Sequence, residues 1–393
     1  MLYFPAPHSF TGEDVIELQG HGGMILQQQL LTRVFELGAN QAVAGEFSAR
    51  AFDNDKLDLV QAEAIADAID ATSVAAAKSA MRSLTGEFSQ KINALLEQLI
   101  QLRLYVEAAI DFPDEEGVDF LADEHIAKQL RQVCEQLNTV LATAKQGQLL
   151  RDGVSVVIAG RPNAGKSSLL NRLAGQERAI VTDIAGTTRD ILQETIVLNG
   201  LTLNLTDTAG LRQTDDIVEQ AGIERARQAI TQADLLLMVY DAHREHEPLR
   251  LATELFGSLP NANSILMIAN KIDLSDNHQN LPKQFSSQEQ IYHPVYVSCK
   301  YDTGLEELVN QICDKVGFHP PENSLIARTR HLDALRRTQM ALQEADEQLH
   351  LFHAGELVAE SLRQAQISLN EITGEFTADD LLGKIFGSFC IGK

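Results

Sequence analysis

A glycine-rich segment at residues 160–168 carries the side chains best suited to chemistry. It reads Gly-Arg-Pro-Asn-Ala-Gly-Lys-Ser-Ser and fits the pattern G-x-x-x-x-G-K-S. The backbone N–H groups of such a loop converge on phosphate oxygens, Lys166 adds a positive charge beside the β and γ phosphates, and the Ser167 hydroxyl can bind Mg²⁺. An apolar strand pattern precedes the segment at 154–159, and a helical pattern follows it at 168–173. This order of strand, loop and helix predicts a phosphate-binding loop rather than a chance turn.

Three further motifs indicate which nucleotide binds. In chain order they are Asp207-Thr208-Ala209-Gly210, Asn270-Lys271-Ile272-Asp273 and Ser298-Cys299-Lys300. Asp207 can reach the Mg²⁺ shell, and the Gly210 N–H can contact the γ-phosphate. The Asp273 carboxylate can accept hydrogen bonds from guanine N1–H and the 2-amino group, a pair of donors that adenine lacks. Backbone N–H groups of the third motif can bind guanine O6, so the sequence predicts GTP.

The segment between the phosphate loop and the second strand predicts part of the hydrolytic machinery. Thr187 and Thr188 lie in this segment, and Thr188 is the candidate for the threonine that binds Mg²⁺. Many small GTPases carry glutamine just after the D-x-x-G motif, where it orients the attacking water. Here that position is Leu211, which cannot form a hydrogen bond. Another residue must orient water, and Glu219 is the candidate.

The transition state of phosphoryl transfer also needs additional positive charge. Two arginines close to these motifs, Arg189 and Arg212, can act as an arginine finger. A bound monovalent cation is the other possibility, because Asn163 offers a carbonyl oxygen inside the phosphate loop. The residues alone leave these alternatives open, and a solvent-facing Asn163 is a third.

Composition predicts a soluble, acidic, cytoplasmic protein with two or three domains. The chain has 393 residues, 44% of them hydrophobic, and a formal net charge of −23. This charge argues against broad non-specific binding to nucleic acids. The four cysteines form no C-x-x-C pair, and no apolar run approaches the length of a membrane span. Residues 1–10 contain no basic segment followed by an apolar core, so no secretory signal is predicted.

Element patterns divide the chain into four parts. Residues 1–55 are mixed α/β, with a strand at 14–18 and a helix at 24–37, whereas 56–150 and 319–393 are helical. Residues 151–318 alternate strands and helices, which is typical of a doubly wound α/β domain. The predicted strands of this domain are 154–159, 193–198, 201–206, 235–240, 265–269 and 295–298. The simplest arrangement is an α/β domain inserted into an all-α domain.

Taken together, these motifs resemble the MnmE (TrmE) family of tRNA modification GTPases over essentially the whole chain. The resemblance is carried by 160–167, Thr182–Asp190 and Asp207–Arg212, by Phe10–Asp14 and Leu18–Gly23 near the start, and by the tail Phe389-Cys390-Ile391-Gly392-Lys393. It implies a homodimer that works with a flavoprotein partner, MnmG (GidA), which carries FAD. Together they would add an aminomethyl or carboxymethylaminomethyl group to C5 of the wobble uridine, position 34, of certain tRNAs.

The resemblance also implies roles for individual residues. Family members bind K⁺, which here would be held by Asn163, Thr182, Ile184 and Thr187, while Ser167 and Thr188 would hold Mg²⁺. Glu219, Lys166 and Thr188 would act in catalysis. The remaining GTP contacts would come from Ala164, Gly165, Ser168, Asp183, Ala185, Gly186, Asp207, Thr208, Ala209, Gly210, Asn270, Lys271, Asp273, Ser298, Cys299 and Lys300.

A one-carbon folate such as 5-formyltetrahydrofolate is a further expected cofactor. Glu17, Lys56 and Lys393 match family positions that contact the folate, and Cys390 matches the family's tail cysteine, for which a reactive role or simple apolar packing both remain open. Family members carry roughly sixty more residues at the start, by this resemblance. We therefore expect 1–55 to be a partial folate-binding and dimerisation domain.

Two alternatives remain open from the sequence. The chain could instead be a GTP-dependent switch in ribosome or RNA assembly, without modification chemistry. The basic group Arg328, Arg330, His331, Arg336 and Arg337 could contact tRNA or simply form a solvated helix face.

Overall fold

The structure, a computed structural model, describes most of the chain. The described residues are 1–111, 124–175, 193–207, 229–274, 281–287, 289–320, 324–352 and 354–374. They divide into two compact units. The first comprises Met1–Asp70, Ala77–Lys145 and Ser324–Lys393, and the second Ala71–Ala76 and Gln146–Asn323. The second unit is thus inserted in the chain of the first, which confirms the predicted fold class.

Helices account for most of the described chain. They are α1 (Met24–Glu36), α2 (Glu46–Asp53), α3 (Leu59–Ile69), α4 (Val74–Leu84), α5 (Glu87–Asp111), α6 (Glu124–Asp152), α7 (Lys166–Ala174), α8 (Pro248–Phe256), α9 (Leu305–Val316), α10 (Thr329–Glu347) and α11 (Gly355–Thr373). Within the segment 56–150, which was predicted to be helical, α4 and α5 are separate helices because Gly86 adopts a left-handed conformation with φ of 88°.

The core of the first unit is formed by apolar faces of α5, α6, α10 and α11. Phe88, Ile92 and Leu99 of α5 pack in one cluster with Leu335 and Leu369. The start of the chain is different, since strands β1 (Leu2–Phe4) and β2 (Val15–Glu17) form an antiparallel pair and α1 has no buried residue. The sequence did not predict β1 or α2.

The second unit is built on a six-stranded sheet. Its strands are β3 (Val154–Ala159), β4 (Gln193–Leu198), β5 (Leu201–Asp207), β6 (Leu235–Asp241), β7 (Ile265–Asn270) and β10 (Pro294–Tyr296). The order is β10-β7-β6-β3-β5-β4, and each adjacent pair is parallel except β4 with β5. β3 has β6 on one side and β5 on the other, so its carboxyl end is a switch point, where such sheets bind ligands.

Strand prediction was accurate for the buried strands and wrong at one edge. β3 and β4 have the predicted bounds, while β10 ends at Tyr296 instead of residue 298. Ser298 instead forms an isolated antiparallel bridge with Thr303. A short hairpin, β8 (Phe285–Ser287) with β9 (Gln290–Tyr292), was not predicted.

Candidate GTP-binding site

The phosphate loop follows β3 directly, and its glycines are fixed by neighbouring atoms. A Cβ on Gly160 would lie 2.1 Å from the carbonyl oxygen of Val239, and a Cβ on Gly165 would lie 2.1 Å from Asn270 Nδ2. Gly165 and Asn163 both adopt left-handed conformations, with φ of 100° and 64°. The loop therefore needs glycine at both positions and an asparagine-tolerant turn between them.

Helix α7 presents its N-terminus to this loop. Its N-cap residue is Gly165, and no side chain caps it, so its first N–H groups suit an anionic ligand. The Lys166 ammonium donates to the Gly160 carbonyl at 2.9 Å and lies 3.3 Å from that of Arg161. Ser167, the next residue, is exposed. Positive charge, N–H groups and an exposed serine are thus gathered at one end of the helix.

Asn270 connects the phosphate loop to the loop that follows β10. It is buried, its Nδ2 donates to the Ala164 carbonyl at 2.9 Å, and its Oδ1 accepts from the Cys299 N–H at 3.3 Å. One side chain amide thus satisfies groups from two loops more than a hundred residues apart. Three of the predicted segments, those at 160–168, 270–273 and 298–300, are brought together by it.

The predicted base-reading carboxylate is held from one side. Asp273 lies in a short 3₁₀ turn after β7, and its Oδ1 accepts a hydrogen bond of 2.6 Å from the Ser298 hydroxyl. Ser298 is buried, whereas Asp273 is half-buried. With one oxygen held by Ser298, the orientation of the carboxylate is restricted, which suits recognition of an adjacent pair of donors.

Lys271 forms an ion pair with Asp241, a residue that none of the sequence motifs contains. Its ammonium lies 2.8 Å from the Asp241 carboxylate at the end of β6. Partial burial alone would raise the pKa of Asp241, but hydrogen bonds from Lys271 and the His243 N–H lower it below its usual range. The signal was present, because Asp241 stands at the carboxyl end of a buried strand beside the other motifs.

The structure places two more of the residues predicted for the GTP site, Lys300 and Asp207, while several others lie outside the described ranges. Lys300 is exposed, and its ammonium lies 5.0 Å from the centroid of the Tyr301 ring. Asp207 ends β5, but its side chain is not described. The predicted residues outside the described ranges are Thr182, Asp183, Ile184, Ala185, Gly186, Thr187, Thr188, Thr208, Ala209, Gly210, Glu219, Cys390 and Lys393, together with Arg189, Leu211 and Arg212.

The predicted folate residues in the described part are both exposed. Glu17 ends β2 and accepts a hydrogen bond from Gln19 at 3.1 Å. Lys56 follows α2, and a Cβ on Gly12 would meet its side chain at 3.2 Å. Each has local neighbours, and these contacts alone do not define a pocket.

Three of the five residues of the basic group in the first unit have neither of the two environments considered for it, whereas Arg336 and Arg337 are exposed. Arg328 and Arg330 are directed inward onto the buried carboxylates of Glu63 and Asp67, and His331 is buried beside Glu63. Only 15% and 20% of the two arginine side chains are exposed. The expectation of a solvated or tRNA-facing group was therefore wrong for these three residues, because it considered charge on one helix without its partners.

The fold and site define a P-loop GTP-binding protein. A family model for the MnmE helical domain matches residues 59–390, and one for the N-terminus of the GTP-binding protein TrmE matches 1–56. The chain belongs to the MnmE family.

Two sequence relatives agree with this assignment. The chain is 74% identical to the tRNA modification GTPase MnmE of Psychrobacter arcticus and 64% identical to that of Acinetobacter baylyi, in each case over the whole chain and 84% of the relative. Among solved structures, Era of Aquifex aeolicus bound to GDP and aluminium fluoride is 26% identical, covering 48% of this chain and 66% of that one, with a TM-score of 0.32. No helix among the described residues combines the length and apolar content needed to cross a bilayer.

Proposed function

We propose that this chain hydrolyses GTP as part of tRNA modification, with the phosphate loop, Asn270 and Asp273 forming the nucleotide site. The observation that carries the proposal is the pair of hydrogen bonds by which Asn270 connects Ala164 and Cys299. A nucleotide has phosphates at one end and a base at the other. The contact sets the separation of the two loops that would hold these ends.

The residues at the N-terminus of α7 fit the two proposed metal ions. The exposed Ser167 would bind Mg²⁺ together with Thr188, and Asn163, which adopts a left-handed conformation in the loop, is exposed and therefore accessible to a cation. Asn163 would bind K⁺ with Thr182, Ile184 and Thr187. Bound there, K⁺ would supply the positive charge that an arginine finger supplies elsewhere. Lys166 would bind the β and γ phosphates, and Glu219 would orient the attacking water in place of a glutamine.

The finer biochemical role rests on family membership. We propose that the protein works as a homodimer with the flavoprotein MnmG on cytoplasmic tRNA, modifying C5 of the wobble uridine with a one-carbon unit from folate. In this scheme residues 1–55 and the tail would serve the folate through Glu17, Lys56 and Lys393. Residues 56–150 and 319–393 would form the helical domain around the GTPase domain at 151–318.

Hydrolysis of GTP by the purified protein tests this proposal directly. We expect turnover that is faster in K⁺ than in Na⁺ at equal ionic strength. Lys166→Ala should abolish it, because the charge beside the β and γ phosphates is lost. Lys283→Ala, an exposed lysine of the same unit, is the matched control and should behave as the unaltered protein. Normal turnover by Lys166→Ala would contradict the assignment of the phosphate loop, and equal slow rates in both salts would contradict the K⁺ site.

A further inference from the structure

Arg172 holds two points of the loop that follows β10. It lies on the last turn of α7, its Nε donates to the backbone carbonyl of Cys299 at 3.0 Å, and its Nη1 lies 3.1 Å from Asp302 Oδ2. The loop is itself closed by the Ser298 N–H, which donates to the Thr303 carbonyl at 2.9 Å. One guanidinium group therefore connects the helix of the phosphate site to a closed turn 127 residues further along.

The contact with Cys299 determines where a neighbouring N–H group points. The carbonyl of Cys299 and the N–H of Lys300 belong to the same planar trans peptide, so they point in opposite directions. When Arg172 holds the carbonyl, it also fixes the direction of the Lys300 N–H. The N–H of Cys299 is held separately by Asn270. The peptide groups on both sides of Cys299 are thus oriented by two side chains, Arg172 from the helix of the phosphate site and Asn270 from the end of β7.

Of the two Arg172 contacts, the one with the carbonyl matters more. The side chains of Arg172 and Asp302 are 46% and 55% exposed, and ion pairs with such exposure contribute little free energy. The carbonyl of Cys299 belongs to a residue that is only 7% exposed, where a charge-assisted hydrogen bond is stronger. Asp302 adopts a left-handed conformation, with φ of 57°, and its ion pair helps to hold the Arg172 guanidinium beside the turn.

We propose that Arg172 is a positioning residue for guanine recognition, which orients the peptide after Cys299 so that its N–H group meets the O6 atom of the base. This inference rests on the proposed GTP site. It also gives α7 two functions. Its first residues face the phosphates, and Arg172, six residues after Lys166 and roughly 9 Å further along the helix, holds the base loop.

A thermodynamic cycle, in which Arg172 and the O6 atom of the base are altered separately and together, tests this proposal. GDP and 6-thio-GDP differ only at position 6, where sulfur is the weaker hydrogen-bond acceptor, and affinity for each is measured by calorimetry for the unaltered protein and Arg172→Ala. We expect the substitution to weaken GDP binding about five- to tenfold and 6-thio-GDP binding less than about twofold. Arg172→Lys should restore only part of the loss, because an ammonium group lacks the planar guanidinium geometry that contacts the Cys299 carbonyl and the Asp302 carboxylate together.

Controls separate this effect from the alternatives. Arg250→Ala removes an exposed arginine of α8 that also pairs with carboxylates, and it should leave both affinities unchanged. Equal losses for the two nucleotides in Arg172→Ala would show a general structural role and overturn the proposal, as would no loss for either. If the unaltered protein bound ADP as tightly as GDP, the proposed GTP site itself would fail.

Discussion

Replacing Glu63 by glutamine is expected to destabilise the first unit strongly. The Glu63 side chain is 2% exposed, and its two oxygens accept hydrogen bonds from Arg330 at 2.8 and 2.7 Å. His331 Nε2 lies 3.0 Å from the same carboxylate. Burial alone would raise the pKa of Glu63, but the hydrogen bonds from His331 and Arg330 hold it far below the usual range. The carboxylate is therefore charged, and glutamine would leave buried positive charge without its counterion.

The expected size of the effect follows from this geometry. Removing one member of a buried ion pair costs about 3–5 kcal/mol, because the remaining charge stays desolvated. The amide of glutamine would also direct an N–H group at a guanidinium or imidazole donor. For a unit of roughly 200 residues, this loss corresponds to a fall in melting temperature of about 6–20 °C.

Urea denaturation followed by far-UV circular dichroism measures the loss. GDP should shift the unfolding transition of the unit that holds the nucleotide site to higher urea concentration. This shift distinguishes that transition from the transition of the first unit, which Glu63→Gln is expected to lower. Glu360→Gln is the control, since Glu360 pairs with Arg363 on an exposed face of α11 and should give no measurable change. A loss below about 1 kcal/mol for Glu63→Gln would refute the argument that a desolvated arginine depends on this carboxylate.

Three shorter predictions concern pH and the nucleotide. His331 Nδ1 accepts the Arg328 N–H at 3.1 Å, and burial lowers the pKa of His331, so the folded state holds a neutral ring. The unfolded chain binds a proton there below about pH 6.5, so stability in urea should fall from pH 7 to 5, and a His331→Gln variant should show a smaller fall. Asp273→Asn should change the preferred nucleotide from GDP to xanthosine diphosphate, as measured by calorimetry. The Ser298 hydroxyl can still donate to Oδ1 of the asparagine, and the asparagine N–H₂ group can then donate to the 2-oxo group of xanthine. Gly165→Ala should weaken GDP binding at least about tenfold, since the added Cβ would lie 2.1 Å from Asn270 Nδ2; unchanged affinity in fluorescence titration would contradict the close approach.

Buried strands were predictable from the sequence because burial on both faces imposes a continuous apolar run. β3, β6 and β7 are nearly all buried, and their patterns located them to within one residue. The short strands β1, β8 and β9 have three residues each and little burial, so they carry no such pattern. The break between α4 and α5 depended on one residue, Gly86, whose effect on a long helical pattern is local.

The parts of the nucleotide site that the sequence revealed are those fixed by spacing within a short segment. Gly165 and Lys166 must be adjacent, and Asn270 and Asp273 must follow one strand, so motifs identify them. Arg172 belongs to no such pattern. Its partners, Cys299 and Asp302, lie far along the chain, and they meet it only because β10 and α7 are positioned by the same sheet.

The basic group of the first unit also depends on partners that are distant in the chain, and here the sequence led to a wrong expectation for three residues. Arg328, Arg330 and His331 looked like part of a charged helix face because five basic residues fall within residues 328–337. Their partner Glu63 lies 267 residues before Arg330, inside the Ala-rich helix α3. Arg330 also donates to the carbonyls of Glu371 and Ile372 at the end of α11, where no further helical turn follows to donate N–H groups to them. A single arginine therefore joins α3, α10 and α11, and its role is to hold together parts of the helical unit that flank the inserted GTP-binding unit in the chain.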